Sequence, residues 1–132
     1  IRGAVRSVRP DLVIAVDALA ARSCARLATT VQISDSGIVP GSGIGNHRTA
    51  ITMETLGVPV ISVGVPTVVD SSTLVWDALR EAGIDEVSST LRAVLDNGKR
   101  FFVSPKESDL ISDAVSELLA GAISEAFVGN LS

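Results

Sequence analysis

Three short apolar runs, each bounded by turn residues or an acid, constrain this chain more than any other feature. The first covers residues 11–16, following Pro10 and reading Asp-Leu-Val-Ile-Ala-Val. A continuous run of that length, rich in β-branched residues, suits a strand buried on both faces. Asp17 ends it. Residues 18–27 are rich in Ala, Arg and Leu and predict a helix. Residues 29–33, Thr-Thr-Val-Gln-Ile, predict a second strand. A third run over residues 58–65 is interrupted by Pro59 and Gly64 and punctuated by Pro66. It predicts a strand from Pro59 onward, because proline is tolerated as a first strand residue.

Between the second and third runs, residues 34–47 hold four glycines and a proline and predict a long loop. Loops of that length inside a compact domain are uncommon and are usually functional or mobile. Residues 52–56 suggest a helical turn closed by Gly57, and residues 70–82 a helix ending at Gly83. Residues 85–95 suggest another helix stopped by Asn97-Gly98, while Phe101-Phe102-Val103 fits strand or loop. Ser104, Pro105 and Glu107 fit an N-cap, a first helical position and a capping box. From there Leu110, Ile111, Ala114, Leu118, Ala122, Ile123 and Ala126 keep helical spacing to a stop at Gly129-Asn130. Strand and helix alternate, so the expected class is α/β.

The chain has 132 residues, enough for one domain with a core of its own. With three Phe, one Trp and no Tyr, that core must be built from Val, Ile, Leu and Ala. A pI near 4.8 argues against binding nucleic acid by phosphate neutralisation. No run approaches the roughly 18 apolar residues of a membrane helix. Cys24 is the only cysteine, which rules out an internal disulfide and points to a reducing, cytoplasmic setting. It reads as a small apolar filler within the first helix. The first residue is Ile1 and the sequence enters in mid-pattern, which reads as a piece of a longer chain.

Asp17, at a strand end, is either a catalytic or ligand-binding carboxylate or the N-cap of the following helix. Asp35 could hold the glycine loop by an Asx-turn or be a second acid. Asp70 reads as a helix N-cap. Gly41, Gly43 and Gly45 resemble a phosphate cradle only superficially. Asn46 stands where the dinucleotide fingerprint needs glycine, and no Gly-Lys-Ser/Thr follows. A substrate-binding or adaptable loop fits better. His47, the only histidine, has no nucleophile motif around it and reads as a loop-end surface residue. One His, one Cys and scattered acids give no metal-ligand spacing, so neither metal nor cofactor is expected.

Residues 11–23 and 32–70 closely resemble the germination protease family of endospore-forming bacteria. The resemblance is carried by Ala15-Val16-Asp17-Ala18-Leu19-Ala20-Ala21-Arg22-Ser23, by Gln32-Ile33-Ser34-Asp35-Ser36-Gly37-Ile38, and by Pro40-Gly41-Ser42-Gly43-Ile44-Gly45-Asn46. It continues through residues 54–61 and 64–70, and Ser104-Pro105-Lys106-Glu107 resembles the start of the family's last helix. The match falls on the C-terminal part of the family's chain, so residues 1–132 are expected to form a single domain of a longer peptidase. The segment between Asp70 and Ser104 is shorter than in that family, and Val39 stands where its loop commonly carries His.

The resemblance implies a three-layer αβα fold with a mixed or mostly parallel central sheet, similar to hydrogenase maturation proteases. It implies an endopeptidase of atypical aspartic type that degrades small acid-soluble spore proteins during germination. The family enzyme is made as a zymogen, is a homotetramer, and works in the cytoplasm of the forespore or spore core. Its contact with DNA runs through the protein substrate, so neither direct nucleic-acid binding nor membrane binding is implied. Asp17 matches one of two proposed catalytic aspartates, and the other lies in an upstream motif that this sequence lacks. The glycine loop, with Asp35, Gly41, Gly43, Gly45 and His47, is assigned to substrate binding or loop control. Two other readings stand beside this one: a nickel-guided maturation peptidase of the same fold, and a non-catalytic α/β binding module or structural remnant.

Overall fold

The computed structural model describes residues 1–41, 48–98 and 101–129. After a short helix, α1 (Arg2–Val8), the first apolar run forms β1 (Val13–Ala21). A single 3-10 turn (Cys24–Arg26), β2 (Gln32–Ser34) and α2 (Met53–Leu56) lead to β3 (Val60–Asp70). Then come α3 (Ser71–Glu81), α4 (Ser89–Asn97), β4 (Phe102–Val103) and α5 (Ser108–Phe127). The class is mixed α/β, as expected.

β3 is the axis of the sheet. β1 runs parallel to it from Val13↔Val60 to Ala21↔Val69. On its other side β2 pairs antiparallel at Gln32↔Gly64, and β4 pairs antiparallel at Val69↔Val103. The buried side chains are those of a strand covered on both faces: Val60, Val63, Val65 and Val69, joined by Ala21 and Ile51. The expected aliphatic core is thus present and is centred on β3.

Several boundaries differ from expectation. β1 does not stop at Asp17, and no α-helix forms over residues 18–27; only the 3-10 turn at Cys24–Arg26 falls there. Parallel pairing carries the chain on to Ala21, which is buried, so sheet pairing overrides the helix propensity of Ala and Leu. The second strand is shorter and later than residues 29–33. Ala28 has positive φ, and the Thr29 and Thr30 hydroxyls donate back to the Ala25 and Arg26 carbonyls, which makes a turn there.

β3 likewise runs through Pro66. The register slips between Leu19 and Ala20, whose partners are Pro66 and Val68, leaving Thr67 as the extra residue. Such a bulge accommodates a proline that has no N–H to donate. The Pro66 carbonyl is not idle, because it accepts the Ala28 N–H at 2.7 Å.

The later helices follow their caps. Asp70 caps α3 as expected, its Oδ1 accepting the Ser72 N–H at 2.8 Å. Ser88, not Asp85, starts α4 by accepting the Leu91 N–H. The capping box expected at Ser104 is absent: the Ser108 N–H donates to the Pro105 carbonyl in a turn, and α5 begins at Ser108 without a side-chain cap. α5 ends at Phe127, before Gly129, while Asn130 lies outside the described residues. Thr52 and Thr55 do form a capping box, on α2, which closes at Gly57 as expected.

α3 lies against β3, the 3-10 turn and α4, and α1 touches α2. A compact domain of 13.6 kDa exposes about 6,600 Å². This chain exposes 9184 Å². Part of the surplus is apolar, including Val16 and Ile33 on the sheet and Leu110 and Leu118 on α5. Among the described residues no helix is long and apolar enough to cross a membrane.

Candidate active site

Asp17 lies in the middle of β1, half-buried, directly opposite Gly64 of β3, which in turn faces Gln32 of β2. Its Oδ1 accepts only the N–H of the next residue, Ala18, at 2.9 Å. With no helix beginning at this point, the capping role considered for Asp17 has nothing to cap. Among the described residues it has no ion-pair partner. Aspartate is depleted in strands, and desolvating its charge costs free energy. A carboxylate in this position is therefore not explained by local structure.

Strand alternation places Ala15, Asp17 and Leu19 on one face of β1. The register puts Ser62 and Gly64 of β3, and Gln32 and Ser34 of β2, on that same face. Packing agrees: a Cβ built on Gly64 would strike the Leu19 side chain. Two cavities open there. One, about 370 Å³, follows β1 past Val13, Ala15 and Asp17 to Ile38 and Pro40. The other, about 470 Å³, lies over Gly64 between Leu19, Gln32, Ile38 and Val39. Ile38 borders both, so the start of the glycine loop sits across the face that carries Asp17.

That loop start has defined structure. Ile38 and Ile51 exchange backbone hydrogen bonds of 2.9 and 2.8 Å. Gly37 has φ +81°, and a Cβ there would meet the Ile51 carbonyl and Thr52, so only glycine fits. Ser62, buried in β3, donates from Oγ toward the carbonyls of Ser34 and Gly37, each at 3.2 Å. Ser34 makes the turn expected of Asp35: its Oγ accepts the Ser36 N–H at 3.1 Å. Asp35 itself is exposed. Gly41 has positive φ. Gly43, Gly45 and His47 lie outside the described residues.

Ser62, Gly64 and Gln32 escaped the sequence reading. Ser62 did leave a signal, since a hydroxyl inside an apolar run needs partners when buried.

Cys24 stands apart from this site, on the 3-10 turn and not within a helix. Its N–H donates to Asp77 Oδ2 at 2.7 Å, and Asp77 Oδ1 meets Arg80 Nη1 at 3.1 Å. Burial, then the hydrogen bond with Asp77, push the Cys24 thiol above its ordinary value. A raised thiol leaves less of the nucleophilic thiolate. The Cys24 N–H, with Arg80 assisting, holds the Asp77 carboxyl below its ordinary value. Among the described residues no three His, Cys, Asp or Glu side chains gather as a metal site would require.

The germination protease family model matches residues 1–85, which includes β1, β2, β3 and α3. The germination protease of Caldanaerobacter subterraneus subsp. tengcongensis is 45% identical over 84% of this chain and 41% of its own length. That of Clostridium perfringens is 48% identical over 77% of this chain and 30% of its own. That of Priestia megaterium is 58% identical over 58% of this chain and 21% of its own. The chain thus spans less than half the length of these relatives, and it belongs to the germination protease family.

Proposed function

We propose that this chain is the Asp17-bearing part of an endopeptidase that degrades small acid-soluble spore proteins during germination. The observation that carries the reading is Asp17 itself: a carboxylate in mid-strand, with no ion pair among the described residues and no cap to form, that lines a cavity on the sheet face.

The chemistry is an aspartate pair. One carboxylate takes a proton from water as the water oxygen adds to the peptide carbonyl. The other carboxyl gives its proton to the departing amine, and the C–N bond breaks. Two neighbouring carboxyls divide these roles because they do not ionise together. Asp17 is one member, and the second comes from polypeptide outside residues 1–132. The parent enzyme is in this reading a zymogen that processes itself, a homotetramer of the three-layer type found in hydrogenase maturation proteases, and a protein of the forespore or spore core.

The test has two arms. Residues 1–132 alone should not cleave a spore-protein peptide, because one carboxylate cannot divide the two roles. The parent enzyme carrying Asp17→Asn should lose both turnover and self-processing. Near-normal rates in that variant would move the active site elsewhere.

A further inference from the structure

A cavity of about 460 Å³ lies between α3, α4 and the end of β1, and shares no lining residue with the two on the Asp17 face. β1 and β3 run parallel and end side by side at Ala21↔Val69, and Arg22 and Thr73 stand just past those ends. The carboxyl ends of parallel strands are where open α/β sheets hold ligands. Along α3, Thr73, Trp76, Asp77 and Arg80 keep the three- and four-residue spacing of one helix face. Arg92 of α4 lies over the Trp76 ring, 5.4 Å from its centroid, and Asp96 follows about one turn on.

Most of the charges lining this cavity have no partner. Asp77 and Arg80 satisfy each other at 3.1 Å. Among the described residues Arg22, Asp85 and Asp96 form no ion pair, and Arg92 meets only the Trp76 ring. Unpaired guanidiniums and unpaired carboxylates thus line one space. An anion alone would be set beside the carboxylates, and a cation alone beside the guanidiniums, each a repulsive placement. A ligand with one charge of each sign avoids both.

We propose that this cavity binds a zwitterionic ligand, an amino acid or short peptide with free termini, its carboxylate on Arg22, its ammonium on Asp96 and its apolar side chain against Trp76 and Ile84. Arg22 suits the carboxylate because an unpaired, planar guanidinium can take both oxygens. Asp96 suits the ammonium because it shares a helix face with Arg92, which sits at Trp76, whereas Asp85 lies in the loop beyond α3. The volume falls within the roughly 300–1,000 Å³ of small-ligand sites. With no residue in common, the proposal does not depend on the role of Asp17.

Trp76 is the only tryptophan and there is no tyrosine, so its fluorescence reports on this cavity. The experiment titrates the chain with leucine, Leu-Leu, N-acetyl-Leu-Leu and Leu-Leu amide. Leu-Leu should change the Trp76 emission saturably. The acetyl form lacks the ammonium and the amide form lacks the carboxylate. Each should bind at least about tenfold more weakly, the loss expected for a hydrogen bond between charged groups. Arg22→Gln should weaken Leu-Leu by a similar factor and leave the amide form unchanged. Asp96→Asn should weaken Leu-Leu and leave the acetyl form unchanged. Leucine binding as tightly as Leu-Leu supports the site as one for a free amino acid, and weaker leucine binding supports it as one for a peptide. Equal binding of capped and free ligands, no change in Trp76 emission at millimolar Leu-Leu, or an Arg22→Gln effect equal on Leu-Leu and its amide would each overturn the proposal. The comparison of capped and free ligands needs no variant, so it decides even if a substituted chain fails to fold.

Discussion

Asp17 and Gly64 face each other across the parallel pairing of β1 and β3. The pairing sets a charge beside an empty position, and Leu19 leans into the space that glycine leaves. A strand residue with no side chain normally weakens a sheet. Here the missing side chain makes room for Leu19, which fills that space.

The first prediction concerns stability, not turnover. Asp17 makes one local hydrogen bond, to the N–H of Ala18, and no ion pair among the described residues. Asp17→Asn should therefore change the unfolding free energy by no more than about 0.5 kcal/mol. Chemical denaturation of the two proteins checks this. A loss several times larger would make Asp17 a structural residue and remove the reason for assigning it a chemical task.

Gly64→Ala should be costly for a reason that a second substitution can reverse. The new Cβ would run into Leu19, and overpacking of this kind costs about 1–3 kcal/mol. Leu19→Ala removes the obstacle. The double variant should be more stable than the two single effects add up to, with a coupling of about 1 kcal/mol or more. Strict additivity in urea denaturation would show that Leu19 is not what Gly64 makes room for.

How far the chain could be read in advance depended on where its signals were local. Caps and turn residues act within a few positions, so Asp70, Gly57 and Gly83 marked real boundaries. β1 beyond Asp17 was not legible, because Ala18 to Ala21 look helical and become strand only by pairing with β3. The same holds for Pro66, whose bulge depends on the register with Leu19 and Ala20. Asp17 could be picked out as a candidate from its place in the first apolar run. Its row with Gly64 and Gln32 could not, since that row joins three strands far apart in sequence. Ser104-Pro105-Lys106-Glu107 shows the opposite failure: a local capping pattern that the chain uses as a turn.

Ser62→Ala should loosen the loop start without unfolding the sheet. The hydroxyl ties β3 to the carbonyls of Ser34 and Gly37, and losing it should cost about 1 kcal/mol. The Ile38–Ile51 backbone pair would then hold that segment with less support. Limited thermolysin digestion should cut at Ile38 faster in the variant than in the parent chain. Equal cutting rates would mean that Ser62 merely satisfies its own burial.

The last prediction follows from Asp77, which joins α3 to the 3-10 turn. Its Oδ2 accepts the Cys24 N–H and its Oδ1 meets Arg80, and its carboxyl sits below the ordinary 3.8. A carboxyl depressed in the folded state binds its proton first in the unfolded state. Its stabilisation is therefore complete above about pH 5 and is lost as pH falls below 3.8 through the folded value. Asp77→Asn should be less stable than the parent chain at neutral pH by about 1 kcal/mol, the usual order for a hydrogen bond to a charged group that is partly solvated. The gap between the two proteins should stay constant down to the ordinary carboxylate range and then narrow. Denaturation curves taken at several pH values measure it. A gap that stays constant through the acid range would show that the charge on Asp77 does not hold the two elements together.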